Sequence, residues 1–185
     1  GGGETPTGGT DSSEPIKIAL TAPLTGNLSQ YGESFQNSVE LACKQWNDKG
    51  GVLGRTVELV VEDTAGDSAQ AATVAQKVVS DGSIFAQIGD FNTACCLAAQ
   101  PIYDAAGMLQ ISPTCSAVNF AVGSKWSFEC LGTQDVQGEF MAQWAYESGA
   151  RKVAVLYLNS DWGISVDQGF ANAFVALGGE IVIEE

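Results

Sequence analysis

The sequence predicts an α/β fold with a doubly wound parallel sheet. From Ile16 onward, short β-rich runs alternate with longer runs whose apolar residues recur at helical spacing, and glycines punctuate the junctions. Strands that alternate with helices in this way pair in parallel, because each helix carries the chain back across the sheet.

Residues 16–22 read as the first strand. Residues 31–48 read as a helix, with Phe35, Val39, Ala42, Cys43 and Trp46 at helical spacing, and Gly50-Gly51 stop it. A strand at 56–62 and a helix at 68–80 follow, the helix carrying Ala72, Ala75, Val78 and Val79 on one face. A strand at 84–88, a helix at 93–106, a strand at 108–112, a long loop to Lys125 and a strand at 126–131 complete a first unit. A second unit runs through a helix from Gln134 to Ser148, a strand at 153–158, a helix at 164–177 and a strand at 180–183. The expected domains are thus a tether at 1–15, a first unit at 16–133 and a second at 134–185. The tether is expected to be disordered, since its Gly, Ser, Thr and Pro residues offer almost nothing apolar to bury. A lone strand-helix-strand cannot cover both faces of its small sheet, so the second unit is expected to expose apolar surface or recruit a partner.

Composition excludes several functions. Twenty-two acidic residues against eight basic ones give a formal charge of −14, which repels phosphate backbones and anionic lipid, so no nucleic-acid partner is expected. The acidic excess names no partner of its own; it reads as a solvated surface. No apolar run approaches the roughly 18 residues that span a bilayer. Histidine is absent, which removes the commonest metal ligand and the commonest general base near neutral pH. The five cysteines, Cys43, Cys95, Cys96, Cys115 and Cys130, are odd in number and show no C-x-x-C spacing, so no metal or iron-sulfur cofactor is expected. Cys43 lies on the expected core face of its helix. One disulfide is compatible with export, with its pair left open.

An enzyme is the weaker class. Its best support is Cys95-Cys96 at a helix start, where the helix dipole lowers a thiol's pKa, but no histidine is present as base and no arginine follows at phosphate-loop spacing. Gly50-Gly51-Val52-Leu53-Gly54 precedes a strand instead of following one, so it is not a dinucleotide fingerprint. No catalytic residue is expected.

Ligands of open α/β sheets sit at the carboxyl ends of the strands. Two turns there carry suitable chemistry. Gly89-Asp90-Phe91-Asn92-Thr93-Ala94 leads into a helix whose first N–H groups lack internal partners, and the Thr93 hydroxyl beside them suits an anion. The alternative is that Asn92 or Thr93 simply caps that helix. Pro113-Thr114-Cys115-Ser116 follows the fourth strand; a loop of this type also stabilises its own turns.

Pro23-Leu24-Thr25-Gly26 through Tyr31-Gly32, a helical run to Trp46-Asn47, and Lys49-Gly50-Gly51-Val52-Leu53-Gly54-Arg55 resemble the opening of the leucine/isoleucine/valine-binding family of periplasmic (type I) solute-binding proteins of ABC transporters. The resemblance spans residues 16–185 nearly without gaps and implies a first lobe nearly complete and a second lobe truncated. It implies a ligand carboxylate held by the hydroxyls of Thr93 and Ser116, with flanking backbone contacts from Phe91, Asn92, Thr114 and Cys115. Tyr31 matches an aromatic at the cleft edge and Trp162 one that reaches in from the second lobe, so the two are expected to sandwich a ligand side chain. Asp135, near the first hinge crossing, matches an acid that pairs with an ammonium.

The sequence also departs from the family. Gly66 and Asn92 occupy the positions of a disulfide found in its best-known members, and Asp90 and Phe91 replace commoner residues before the clamp. A larger or more polar amino acid, an amide or urea-like solute, or an aromatic acid is therefore the expected ligand. The implied partner is an ABC transporter permease, the implied location periplasmic or cell-surface, and the expected membrane contact only a lipid anchor upstream of the tether. The alternatives are a sensory ectodomain of the same fold and a cysteine-dependent α/β enzyme.

Overall fold

Every crossover but one in the chain is helical. The computed structural model describes residues 14–185, and within them the order is β1 (Ile16–Ala22), α1 (Ser29–Asp48), β2 (Val57–Asp63), α2 (Ser68–Ser80), β3 (Ile84–Ile88), α3 (Thr93–Ala106), β4 (Leu109–Ser112), β5 (Ser127–Glu129), α4 (Gln134–Glu147), β6 (Lys152–Val155), α5 (Asp161–Ala176) and β7 (Glu180–Glu184). The exception is the long loop between β4 and β5. β1 to β5 form one parallel sheet in the order β2-β1-β3-β4-β5, and β6 pairs in parallel with β7. The expected tether lies outside the described residues apart from Glu14 and Pro15, whose carbonyls accept hydrogen bonds from Arg55 at 2.6 and 3.2 Å.

Several boundaries move for local reasons; β6, expected at 153–158, ends at Val155, the last of its residues to pair with β7. α1 starts at Ser29, so Tyr31 lies within its first turn instead of opening it. β5 keeps three residues, those that pair with Gln110, Ile111 and Ser112 of β4. α5 starts at Asp161, because the Ser160 hydroxyl caps it by accepting the Gly163 N–H at 3.1 Å; Trp162 therefore belongs to that helix and not to the preceding loop.

The two faces of the large sheet differ. Ala19 of β1 faces α2 and α3 and packs with Val74, Ala75, Val78, Ala99, Tyr103 and Met108. α2 is turned slightly from the expected face: Ala71 and Val74 are buried, while Ala72 and Val79 are only partly so. On the same rung as Ala19 lie Gln87, Gln110 and Ser127, a polar row buried beneath α3. Its members find partners in Thr21 Oγ1 (2.7 Å from Gln87 Nε2), the Cys96 carbonyl (3.4 Å from Gln110 Nε2) and each other (Ser127 Oγ to Gln110 Oε1, 3.0 Å). Hydrogen bonds of this kind set where α3 rests, which an apolar face alone does not.

The opposite face carries Ile18, Leu20, Ile88, Ile111 and Phe128, and α1 covers it only over β1 and β2. Within α1 the packed stripe is Phe35, Val39, Cys43 and Asn47; Ala42 and Trp46 lie off it and are exposed, and Cys43 is half-buried. Phe128 stays 52% exposed, and Phe85, bulged out of the β1–β3 register, is exposed as well. The second unit behaves as expected from its missing cover: Phe140, Met141, Trp144, Leu156 and Leu158 are exposed around α4 and β6. Its own core is Phe174, stacked on Phe170 at 5.4 Å and edge-on to Tyr146 at 6.1 Å. Among the described residues no helix is long and apolar enough to cross a membrane.

Candidate functional site

The carboxyl edge of the large sheet gathers three loops, and two carboxylates hold them. Asp63, at the end of β2, accepts the Leu24 N–H (2.8 Å), the Thr25 N–H (3.3 Å), the Thr25 hydroxyl (2.6 Å) and the Ala65 N–H (2.8 Å). Partial burial would raise its carboxyl, but the bonds from Thr25, Ala65 and Leu24 outweigh it and hold the group below its ordinary value.

Asp90 is almost wholly buried and works in both directions. Its carboxylate accepts the Thr64 hydroxyl at 2.6 Å and the N–H groups of Phe91 and Asn92 at 2.5 and 3.3 Å. Its own carbonyl lies within hydrogen-bonding distance of Ser112 Oγ (3.2 Å), Thr114 Oγ1 (3.3 Å) and Cys96 Sγ (3.4 Å). One residue thus joins β2, the turn before α3, α3 itself and the loop after β4. Burial pushes its carboxyl up despite those bonds.

The turn Asp90 holds begins α3. Asn92 sits at the cap position yet makes no side-chain cap bond, and its Oδ1 is buried without a protein partner. The capping alternative is therefore not realised at Asn92, and the N–H groups of Thr93, Ala94 and Cys95 have no protein acceptor among the described residues. Gly66 abuts this turn: a Cβ on it would stand 3.3 Å from Asn92 Oδ1. Thr93 is buried, its hydroxyl 3.5 Å from Gln134 Nε2. The Gln134 backbone N–H donates to the Ser116 carbonyl at 2.7 Å, so this one residue of α4 touches both loops. Ser116 is 1% exposed and its hydroxyl has no protein partner. Thr114 turns inward, its hydroxyl on the Phe91 carbonyl at 3.0 Å, and Cys115 is fully buried with its N–H on Ser112 Oγ at 2.9 Å.

The aromatics are arranged differently from the expected sandwich. Tyr31 stacks on Phe91, with Phe35 edge-on to the same ring at 5.9 Å. Trp162, 44% exposed, lines a hollow of about 380 Å³ in the second unit with Met141, Tyr157, Val166 and Phe170. Thr93 and Gln134 instead share a hollow of about 370 Å³ with Asp161, Ile164 and Ser165 at the start of α5, where the two units face each other. Asp135 spends its carboxylate on its own turn, with hydrogen bonds from Thr133 and Val136 that hold it below its ordinary value.

The thiol argument for an enzyme is corrected by burial. Desolvation pushes Cys95 up to about 12, with Asp90 and Asp67 acting in the same direction, and Cys96 is raised as well by the neighbouring Cys115 side chain and by burial. Among the described residues no group of three or more His, Cys, Asp or Glu side chains is placed to hold a metal ion.

Sequence reasoning missed Gln134 and the structural role of Asp90. The available signal was a carboxylate placed directly after Gly89, whose φ of +125° admits the tight approach to Thr21.

Comparisons with known proteins show the family and the fold. The profile of the family described as "Periplasmic binding protein" matches residues 15–185. The Leucine-, isoleucine-, valine-, threonine-, and alanine-binding protein of Pseudomonas aeruginosa is 35% identical over 154 residues, covering 82% of this chain and 41% of that protein. The chain spans less than half the length of the curated relatives it matches. Among solved structures, the branched-chain amino acid transporter substrate binding protein LivJ of Streptococcus pneumoniae, in complex with isoleucine, superimposes with a TM-score of 0.86 at 28% identity, over 92% of this chain and 49% of that one. A solute binding protein of an ABC transporter from Rhodopseudomonas palustris, in complex with 3,4-dihydroxybenzoic acid, gives 0.84 at 25% identity over 92% and 46%. These relatives are named as binding proteins, not enzymes. Matched by one family from Pro15 to its last residue, and sharing the α/β fold of that family's type I members over nearly all of its described length, the chain belongs to the periplasmic binding protein family.

Proposed function

We propose that residues 16–133 are the ligand-holding lobe, and residues 134–185 the hinge crossing and start of the closing lobe, of an extracytoplasmic receptor that captures a small carboxylate-bearing solute for an ABC transporter. The observation that carries this reading is the pairing of unused donors: the free N–H groups at the start of α3 and the buried, unpartnered hydroxyl of Ser116, both contacted by or adjacent to residues contacted by Gln134. Donors buried without an acceptor cost free energy unless a ligand satisfies them. A carboxylate does so through charge-assisted hydrogen bonds, each contributing about 1.5–3 kcal/mol.

Thr93, Ser116 and the backbone of Asn92, Thr114 and Cys115 form the polar floor in this proposal. Tyr31 and Phe91 present an aromatic wall to the rest of the ligand, and Trp162 approaches as the second lobe closes. The ligand is an amino acid or an aromatic acid, the two classes held by the Streptococcus pneumoniae and Rhodopseudomonas palustris relatives, and the closed receptor delivers it to a membrane permease. Isothermal titration of the protein from its complete reading frame tests this with leucine, isoleucine, phenylalanine, benzoate, hydroxybenzoates and small amides. Heat confined to one carboxylate class supports the assignment; silence across the series overturns it.

A further inference from the structure

The two loops of the site also bring two thiols together. Cys96, in the first turn of α3, and Cys115, beside Ser116, are both fully buried and share one cluster with Ala117 and Phe120. Their side chains are neighbours in that cluster. Both also rest on Ser112, whose hydroxyl oxygen is 3.4 Å from Cys96 Sγ and accepts the Cys115 N–H at 2.9 Å. We propose that Cys96 and Cys115 are the sites of an intrachain disulfide that ties the start of α3 to the loop after β4.

The remaining cysteines do not compete on geometry. Cys43 is half-buried on α1, across the sheet from α3; Cys130 donates its N–H to the Ser112 carbonyl at 3.1 Å, but it is exposed and lies outside the buried cluster that Cys96 and Cys115 share. Cys95 is buried with Asp67 and Asp90 for charged neighbours, on the side of α3 that meets α2. Two cysteines packed in one buried cluster around the same serine are candidates to close the roughly 2.05 Å of a sulfur–sulfur bond. The single Cys96 proton also faces two acceptors, the Asp90 carbonyl and Ser112 Oγ, and cannot serve both at once.

The oxidant is a second disulfide, of a small molecule or of an exchange catalyst. Cys115 acts as the attacking thiol, its proton passing to solvent. Its thiolate attacks the oxidant, forming a mixed disulfide and releasing one thiol. Cys96, once deprotonated, attacks the Cys115 sulfur, which forms the protein disulfide and releases the second thiol. Two protein thiols are oxidised and one external disulfide is reduced to two thiols. Burial of both sulfurs places the exchange during folding, before the loop closes over them. The product fixes covalently the spacing between Thr93, three residues before Cys96, and Ser116.

The persistence of this bond in the cell rests on the extracytoplasmic setting proposed above, so the test is made in vitro, where the pairing stands or falls by itself. The protein is refolded in oxidised glutathione, freed of the reagent, denatured, alkylated with iodoacetamide and mapped by mass spectrometry. The expected result is alkylation at Cys43, Cys95 and Cys130 and a linked peptide pair two hydrogens lighter than the reduced peptides. Since Cys95 and Cys96 share a peptide, Cys95→Ser should keep the linked pair and Cys96→Ser should lose it. Alkylation of all five cysteines, or a bridge through Cys43, Cys95 or Cys130, overturns the proposal.

Discussion

The ring of Tyr31 lies flat against the ring of Phe91, with centroids 4.4 Å apart and planes 10° from parallel. This contact fastens the first turn of α1 to the turn that opens α3, two segments 60 residues apart in sequence (91 − 31). Offset aromatic pairs contribute about 0.5–1.5 kcal/mol beyond the area they bury. Tyr31→Ala and Phe91→Ala should each destabilise the protein, and the double variant should lose about 1 kcal/mol less than the sum of the two. Urea denaturation of the four proteins measures the coupling. Strict additivity would show that the stack holds nothing together.

Ser116 separates binding from stability. Its hydroxyl is buried and makes no hydrogen bond within the protein, so Ser116→Ala should leave stability within about 0.5 kcal/mol or raise it slightly. Ligand affinity should fall about tenfold or more, since a hydrogen bond to a charged group is lost. Thermal denaturation and titration of the same preparation give both readings. A large drop in melting temperature with affinity intact would assign the hydroxyl to the fold.

Asp63 and Asp90 should respond to acid with opposite signs. The Asp63 carboxyl is held below its ordinary value, so its contribution to stability is present above the unfolded value of about 4 and is lost as pH falls through its lower folded value. Asp90 is raised, so its contribution is fully present below about pH 4 and is lost as pH rises through its higher folded value. Melting curves between pH 3 and 7 should show the cost of Asp63→Asn shrinking on acidification and the cost of Asp90→Asn shrinking as pH rises. Parallel profiles for the two variants would contradict this assignment.

Gly138 marks where α4 and α5 touch backbone to backbone. A Cβ there would lie 2.5 Å from the Phe170 nitrogen and 2.6 Å from the Val166 carbonyl oxygen. Gly138→Val must push the helices apart, at a cost of about 2 kcal/mol or more. Amide hydrogen exchange should accelerate in α4 and α5 while α2 and α3 keep their protection. Uniform acceleration across both units would mean that they unfold as one.

Much of this was legible in the chain because it depends on periodicity, which is local. Every strand and helix was visible in the apolar spacing, and the boundaries that moved were decided by tertiary pairing, as at β5 and β6, or by a capping hydrogen bond, such as Ser160 to Gly163 at the head of α5. The candidate polar floor was legible as residue types at strand ends: Thr93 and Ser116 follow β3 and β4, and both are buried there.

What the sequence determined by itself is therefore the parallel α/β architecture, since periodicity and spacing act through neighbouring residues. Tertiary structure alone decided that Tyr31 stacks on Phe91, that Asp90 gathers three segments, that Gln134 contacts both loops and that Cys96 and Cys115 share a cluster. Those pairings join residues far apart in the chain, and the buried polar row beneath α3 settles which of them meet, because hydrogen bonds are directional where apolar packing is not.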